Sequence, residues 1–191
     1  MKKTRFSTYR LVFIALFAAI VLVCTLVSVP VLESKVHLGN TASILAGLIL
    51  SPVDAGLAAG LGSMLYDATL GGYDAIGCGI TFISKYLMAF VCAILMKLLL
   101  GRDYKRIGRR AGLVYAISAA AALTYVALYM LKTFVMKQVV DGLTLKAVWV
   151  VMMEKLPASL INAAFATFAA PPLYAALMPA LKKAGIMAKL K

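Results

Sequence analysis

Acidic residues are scarce in this chain: seven Asp and Glu stand against twenty Lys and Arg in 191 residues, with one histidine and three cysteines. Each shortage excludes something. One histidine and three scattered cysteines give no metal-ligand spacing, so no metal site and no cofactor are expected. Cys24, Cys78 and Cys92 fall in or near apolar runs and read as small apolar side chains rather than a disulfide framework. The phosphate-cradling pattern GxxxxGK[ST] does not occur, which leaves the glycines as packing aids. With no HExxH, no GxSxG and no aspartate-rich run, the chain does not read as an enzyme.

What is abundant is apolar. Hydrophobic residues make up 63% of the chain, charged residues 14%, and the mean hydropathy is +0.95. Soluble domains are roughly half apolar and a quarter charged, so this composition is that of an integral membrane protein. A net charge of +13 would suggest nucleic acid in a soluble protein, but its distribution gives another account. Lys2, Lys3, Arg5 and Arg10 precede the first apolar run, Lys97, Arg102, Lys105, Arg106, Arg109 and Arg110 surround a central loop, and Lys182, Lys183, Lys189 and Lys191 end the chain. These 14 of the 20 basic residues form three clusters that the positive-inside rule assigns to the cytoplasm, where they also meet anionic headgroups of the lipid bilayer. No nucleic-acid partner is needed.

Apolar runs divide the chain, read as a single transmembrane domain over 1–191, into helices at about 8–32, 38–51, 54–70, 79–100, 111–136 and 150–181. Basic residues before an apolar run also describe a signal peptide, and Cys24 a lipoprotein. The run is long for a signal segment and no small-residue cleavage site follows it, so it reads as the first helix. The second helix is short for a full crossing. Ser51-Pro52-Val53-Asp54 makes a tight inner turn, Asp141-Gly142 marks an outer one, and Pro171-Pro172 is expected to bend or break the last helix. The fold class is therefore all-α, an integral-membrane six-helix bundle with both termini cytoplasmic. The location is a plasma membrane of prokaryotic type.

Residues 37–85 carry the unusual chemistry. Gly56, Gly60, Ser63 and Asp67 share a helical face, three small residues that let another backbone approach, then a carboxylate. Thr81, Lys85, Met88 and Cys92 form a stripe on the fourth helix; Tyr125, Tyr129 and Lys132 share a face on the fifth; Glu154, Ala158, Asn162 and Phe165 line up on the sixth. Charges inside a membrane are expensive and usually face an interior or a cavity. Tyrosines, an asparagine and charges of both signs at the outer helix ends describe a polar ligand site open to the outside. Blander readings stand beside this one: an aromatic belt for Tyr66, Tyr73, Tyr125 and Tyr129, headgroup snorkelling for Lys132 and Lys155, and internal pairing of Asp67 with Lys85.

Several of these stretches resemble a known family. His37-Leu38-Gly39-Asn40, the glycine-rich run from Gly56 to Gly62 ending in Asp67, the loop Gly71-Gly72-Tyr73-Asp74, and Thr81-Phe82-Ile83-Ser84-Lys85 are similar to the substrate-binding S components of energy-coupling factor (ECF) transporters. The closer resemblance is to the riboflavin-type branch that also holds pantothenate, pyridoxine and hydroxymethylpyrimidine carriers. Ala15-Leu16-Phe17-Ala18-Ala19 matches that family's AxxxA face; where some members continue the repeat, this chain has Val23. The resemblance covers nearly the whole chain, with its specific residues between 15 and 85.

It implies a subunit of an ABC-type transporter that takes a water-soluble vitamin or precursor from outside. A transmembrane coupling subunit and two cytoplasmic ATPases would then drive its release inward. By analogy Ala15 and Ala19 contact the coupling subunit, Asn40, Tyr73, Lys85, Tyr125, Tyr129, Lys132, Glu154 and Asn162 contact the vitamin, and Gly56, Gly60 and Asp67 build the cavity wall. Lys85 or Lys132 would pair with an anionic group of the ligand. The alternatives are a gradient-driven transporter, which inverted repeats with broken helices would support though no clear repeat is seen, and a ligand-free membrane scaffold.

Overall fold

A computed structural model describes residues 7–31, 34–101 and 110–189. Lys2, Lys3, Arg5, Arg102, Lys105, Arg106, Arg109 and Lys191 of the three basic clusters lie outside the described residues, as does the side chain of Lys189. Among the described residues six helices carry the fold: α1 (Thr8–Leu26), α2 (Gly39–Ile49), α3 (Pro52–Tyr66), α4 (Ala75–Leu100), α5 (Ala111–Val135) and α6 (Leu145–Lys183), followed by a short helical segment, Ile186–Lys189. By length and composition α1, α4, α5 with its extension to Val140, and α6 can each cross a membrane.

The centre of the bundle is α2. All eleven of its residues are buried, and it packs against α1, α3, α4 and α6. At about 16 Å it is too short to span a hydrocarbon core, so its missing polar face has a simple reason: it meets protein on every side. Around it the helices approach closely through small residues. A Cβ on Gly56 or Gly60 would stand 2.6 or 2.8 Å from the rings of Tyr86 and Phe82 on α4, and one on Gly62 would stand 2.3 Å from the Ala18 carbonyl on α1. Ile44, Ile49, Met88, Cys92 and Met96 fill the space between. The three cysteines are free thiols.

Four boundaries differ from the sequence expectation, each for a local reason. The first helix stops at Leu26 rather than 32, and Ser28–Val31 pairs antiparallel with Ser34–His37 in a hairpin that sets Pro30 opposite Lys35. Val-Ser-Val-Pro-Val is β-branched and contains a residue that cannot donate to a helix, so the chain leaves the helix there. The third helix ends at Tyr66 and passes into a wide turn of π-helical pitch, Asp67–Gly71, closed by Gly72 at φ 68°. The fourth starts at Ala75, not 79, because the Asp74 carboxylate accepts a hydrogen bond from the Gly77 N–H at 2.9 Å.

The last helix begins at Leu145, just after the Gly142 turn (φ 65°), and runs unbroken through Pro157, Pro171, Pro172 and Pro179. The prolines leave the carbonyls of Met153, Thr167, Phe168 and Ala175 without their intrahelical donors, a gap that membrane helices tolerate where neighbouring helices pack around them.

Successive helices run in opposite directions. The hairpin, the Asp67–Gly71 turn, the start of α4, the end of α5 and the start of α6 therefore gather at one end of the bundle, hereafter the hairpin end. Arg10, the Ser51 turn, Lys97, Arg110, Lys182 and Lys183 lie toward the other, basic end. There the Arg10 guanidinium donates to both oxygens of Asp54, at 2.9 and 2.7 Å, joining α1 to the first turn of α3.

Candidate ligand-binding cavity

A cavity of about 470 Å³ opens at the hairpin end, within the size range of small-molecule sites. The hairpin covers part of it with Pro30, Ser34 and His37, α3 and its π turn supply Ser63, Tyr66 and Asp67, and α4 supplies Thr81, Ser84 and Lys85. Tyr125, Tyr129 and Lys132 come from α5, Ser159 and Asn162 from α6. The face predicted on the third helix is thus divided in use: Gly56 and Gly60 seat the rings of α4, while Ser63 and Asp67 reach the cavity.

Two lysines dominate its electrostatics. Lys85 is 3% exposed; its ammonium donates to Asn40 Oδ1 and lies 3.9 Å from the centre of the Tyr125 ring. Lys132 donates to Thr81 Oγ1 at 3.0 Å and to the Gly77 carbonyl at 3.3 Å, 4.8 Å from the Tyr73 ring centre. Ring faces attract cations and partly replace the lost hydration. Among the described residues no salt bridge ties Asp67 to either lysine, so the pairing of Asp67 with Lys85 contemplated from the sequence is not formed. Tyr125 and Tyr129 stack with centroids 6.0 Å apart, and the Tyr129 hydroxyl stands 3.4 Å from that of Ser34.

Asn162 holds the hairpin in place. Its Oδ1 accepts the His37 N–H at 2.8 Å, and its Nδ2 donates to the Lys35 carbonyl at 2.8 Å. Both ends of the amide engage strand Ser34–His37, whose edge would otherwise leave those groups unpaired. Replacing Asn162 by alanine should therefore strand two backbone groups, destabilising the hairpin by about 1–3 kcal/mol each if they stay dry. Amide exchange at His37 should accelerate markedly; exchange at the wild-type rate would show that the amide does not hold the strand.

His37 contributes a second restraint, accepting the Gly39 N–H on Nδ1 at 3.1 Å. That bond needs a neutral ring. Burial, with Lys85 and Lys35 nearby, pushes the imidazole down to about 3 from its ordinary 6.5. The unfolded chain therefore binds a proton between these values that the folded chain does not, so stability is full above about 6.5 and falls as pH drops toward 3. His37→Gln should flatten that part of the curve of thermal midpoint against pH; an unchanged slope would assign the acid sensitivity elsewhere.

Of the residues singled out from the sequence, Tyr73, Lys85, Tyr125, Tyr129, Lys132 and Asn162 line this one cavity. Asn40 does not: it is 1% exposed and sits behind Lys85, accepting from its ammonium. Glu154 also stands apart, beside Trp149, Val150 and Met153 at a shallow apolar depression. Eight residues separate it from Asn162, which on a helix turns it about 80° away, so the two do not share an inward direction. Ala15 and Ala19 are exposed on the outer face of α1, whereas Ala18 turns inward to meet Gly62.

Sequence reasoning missed Ser159 and the hairpin, and it quoted Ser63 only for its small size. Ser63 and Ser159 are both 3% exposed, line the cavity, and have hydroxyls without a hydrogen-bond partner among the described residues. The available signal was spacing: Ser159 lies three residues before Asn162 on the same helix face.

A polar, partly capped chamber set in an apolar bundle is the architecture of a binding protein. The family profile described as "ECF-type riboflavin transporter, S component" matches residues 5–179. No curated protein matches the chain. The fold is similar to a solved structure described as "Structure and mechanism of the S component of a bacterial ECF transporter", with a TM-score of 0.67 and 18% identity over 91% of this chain and 97% of that one. At that identity the likeness concerns the fold. The profile spans nearly the whole sequence, and the chain accordingly belongs to the S-component family of ECF transporters: it is a multi-pass substrate-binding subunit of a prokaryotic plasma membrane, not an enzyme.

Proposed function

We propose that this S component takes up a water-soluble vitamin or vitamin precursor in the cavity at the hairpin end, which faces the outside. The ligand is of the pantothenate, pyridoxine, hydroxymethylpyrimidine or riboflavin-like kind. It is released inward after the protein joins a transmembrane coupling subunit and two cytoplasmic ATPases. The observation that carries this reading is the chamber itself: buried Lys85, half-buried Lys132, unpartnered hydroxyls and tyrosines around one space of about 470 Å³ in an otherwise apolar bundle. Buried polar groups of that kind are costly in a membrane unless something occupies them.

Orientation follows from charge. Lys97, Arg110, Lys182 and Lys183 lie toward the end opposite the cavity, and the positive-inside rule puts that end in the cytoplasm. The chain has no phosphate-binding loop, so ATP is hydrolysed by other subunits. Ala15 and Ala19, exposed and one turn apart on α1, offer the flat strip on which a coupling helix can seat closely.

The test has two arms. Purified protein in detergent, without ATP or partners, is titrated calorimetrically with the water-soluble vitamins and their precursors. A true ligand at a thousandfold excess over its Kd stabilises the fold by roughly 4 kcal/mol and raises the thermal midpoint accordingly. In cells, uptake of the same compound should require the coupling subunit and the ATPases. Silence across the panel with folded protein favours a ligand-free scaffold, and uptake without the ATPases favours a gradient-driven carrier; either result overturns the proposal.

A further inference from the structure

We propose that the substrate is an organic acid, whose carboxylate is held between Lys85 and Lys132 while its uncharged remainder lies against Ser63 and Ser159. This rests on the reading of the cavity as the vitamin site and narrows its substrate class. Charge around the chamber is unbalanced. Lys35, Lys85 and Lys132 line the chamber, against Asp67 as its carboxylate among the described residues. Lys85 and Lys132 touch neutral acceptors and ring faces: the Asn40 amide and Tyr125 for the first, the Thr81 hydroxyl, the Gly77 carbonyl and Tyr73 for the second. Asp67 acts on both lysines without touching them, but it is one carboxylate against three ammonium groups, and an anion entering the chamber offsets the excess.

Geometry brings the two ammonium groups to the same region. Lys132 reaches Thr81, and Thr81 and Lys85 stand one turn apart on α4, about 5–6 Å between Cβ atoms. Each ammonium has three N–H donors. Lys85 directs one to Asn40 and Lys132 directs two to Thr81 and Gly77, leaving two and one. Three free donors are enough to serve both oxygens of a carboxylate. Ser63 and Ser159, both buried at the lining, border the rest of the molecule.

The experiment compares matched acids and neutral analogues on the purified full-length protein by calorimetry: pantothenate against pantothenol, nicotinate against nicotinamide, with riboflavin as a neutral vitamin and pyridoxal phosphate as a phosphate ester. One acid should bind about 100-fold more tightly than its uncharged counterpart, the worth of one or two charge-assisted hydrogen bonds. In Lys132→Met that preference should shrink to about threefold, whereas Lys132→Arg should retain most of it. Lys85→Met should act likewise, and if it does not fold, the wild-type ratio and the Lys132 variants decide the matter. Riboflavin or pyridoxal phosphate binding tightest, an acid bound no better than its neutral analogue, or a preference untouched in Lys132→Met would each overturn the acid assignment while leaving the cavity as a vitamin site. Silence across the panel would overturn both.

Discussion

Replacing Arg10 by methionine is expected to destabilise the protein by about 3–5 kcal/mol, the usual consequence of removing one member of a buried ion pair. The Asp54 side chain is 2% exposed, the Arg10 side chain 18%. Losing the arginine therefore leaves a carboxylate with almost no access to water, at the first turn of α3 and beside the Ser51 cap. Asp54→Ala should cost less, because the long Arg10 stem can turn its guanidinium toward the headgroups at the basic end. The asymmetry is the diagnostic part. Unfolding in mixed micelles should rank the variants wild type, Asp54→Ala, Arg10→Met in falling stability; equal small losses would show that the pair is solvated and structurally minor.

Gly62→Val is the second large effect. A Cβ there would lie 2.3 Å from the Ala18 carbonyl and 2.8 Å from the Val21 Cβ, both on α1, and the first of these is backbone that cannot swing aside. Accommodating valine means separating α1 from α3. Overpacking of a tight core typically costs about 1–3 kcal/mol, and contact with rigid backbone puts this site at or above the upper end. Because α1 also carries the outward Ala15 and Ala19, the variant should lose thermal stability and energised uptake together. Gly112→Val is the control: nothing lies within 4 Å of that position, so its melting point should stay near wild type. A Gly62→Val protein as stable as that control would mean that the two helices are not packed as described.

The membrane class and the six helices were legible because they depend on composition and on basic clusters that bound apolar runs, signals that survive without knowledge of packing. The hairpin was not. Residues 27–31 are apolar enough to continue a helix, and only Pro30 with its valine neighbours marks the change to strand. Lys85 and Lys132 stood out because ammonium groups in apolar helices are rare and directional. Ser63 and Ser159 did not, since isolated hydroxyls in membrane helices commonly bond their own backbone, as Thr124 and Ser84 do here.

Asn162 illustrates a different limit. Its inward position followed from periodicity, but its work on the Lys35 and His37 backbone depends on a strand the sequence did not reveal. Asn40 was expected to meet ligand and instead orients Lys85 from behind, a distinction of depth that spacing along one helix does not carry. Glu154 drifted out of register because a stripe drawn over eight residues accumulates most of a quarter turn.

The central claim is that the chamber at the hairpin end is where the vitamin binds. Ser159 is the place to test it, since its side chain is small, buried and part of the lining of that space, and phenylalanine would take up volume a ligand needs. The measurement is a calorimetric titration of the tightest-binding vitamin into wild-type and Ser159→Phe protein of equal helical content. The account predicts that affinity falls by about 100-fold or more in the variant, as expected when a fully desolvated contact region is filled. Wild-type affinity in Ser159→Phe would contradict it and place the ligand elsewhere on the molecule.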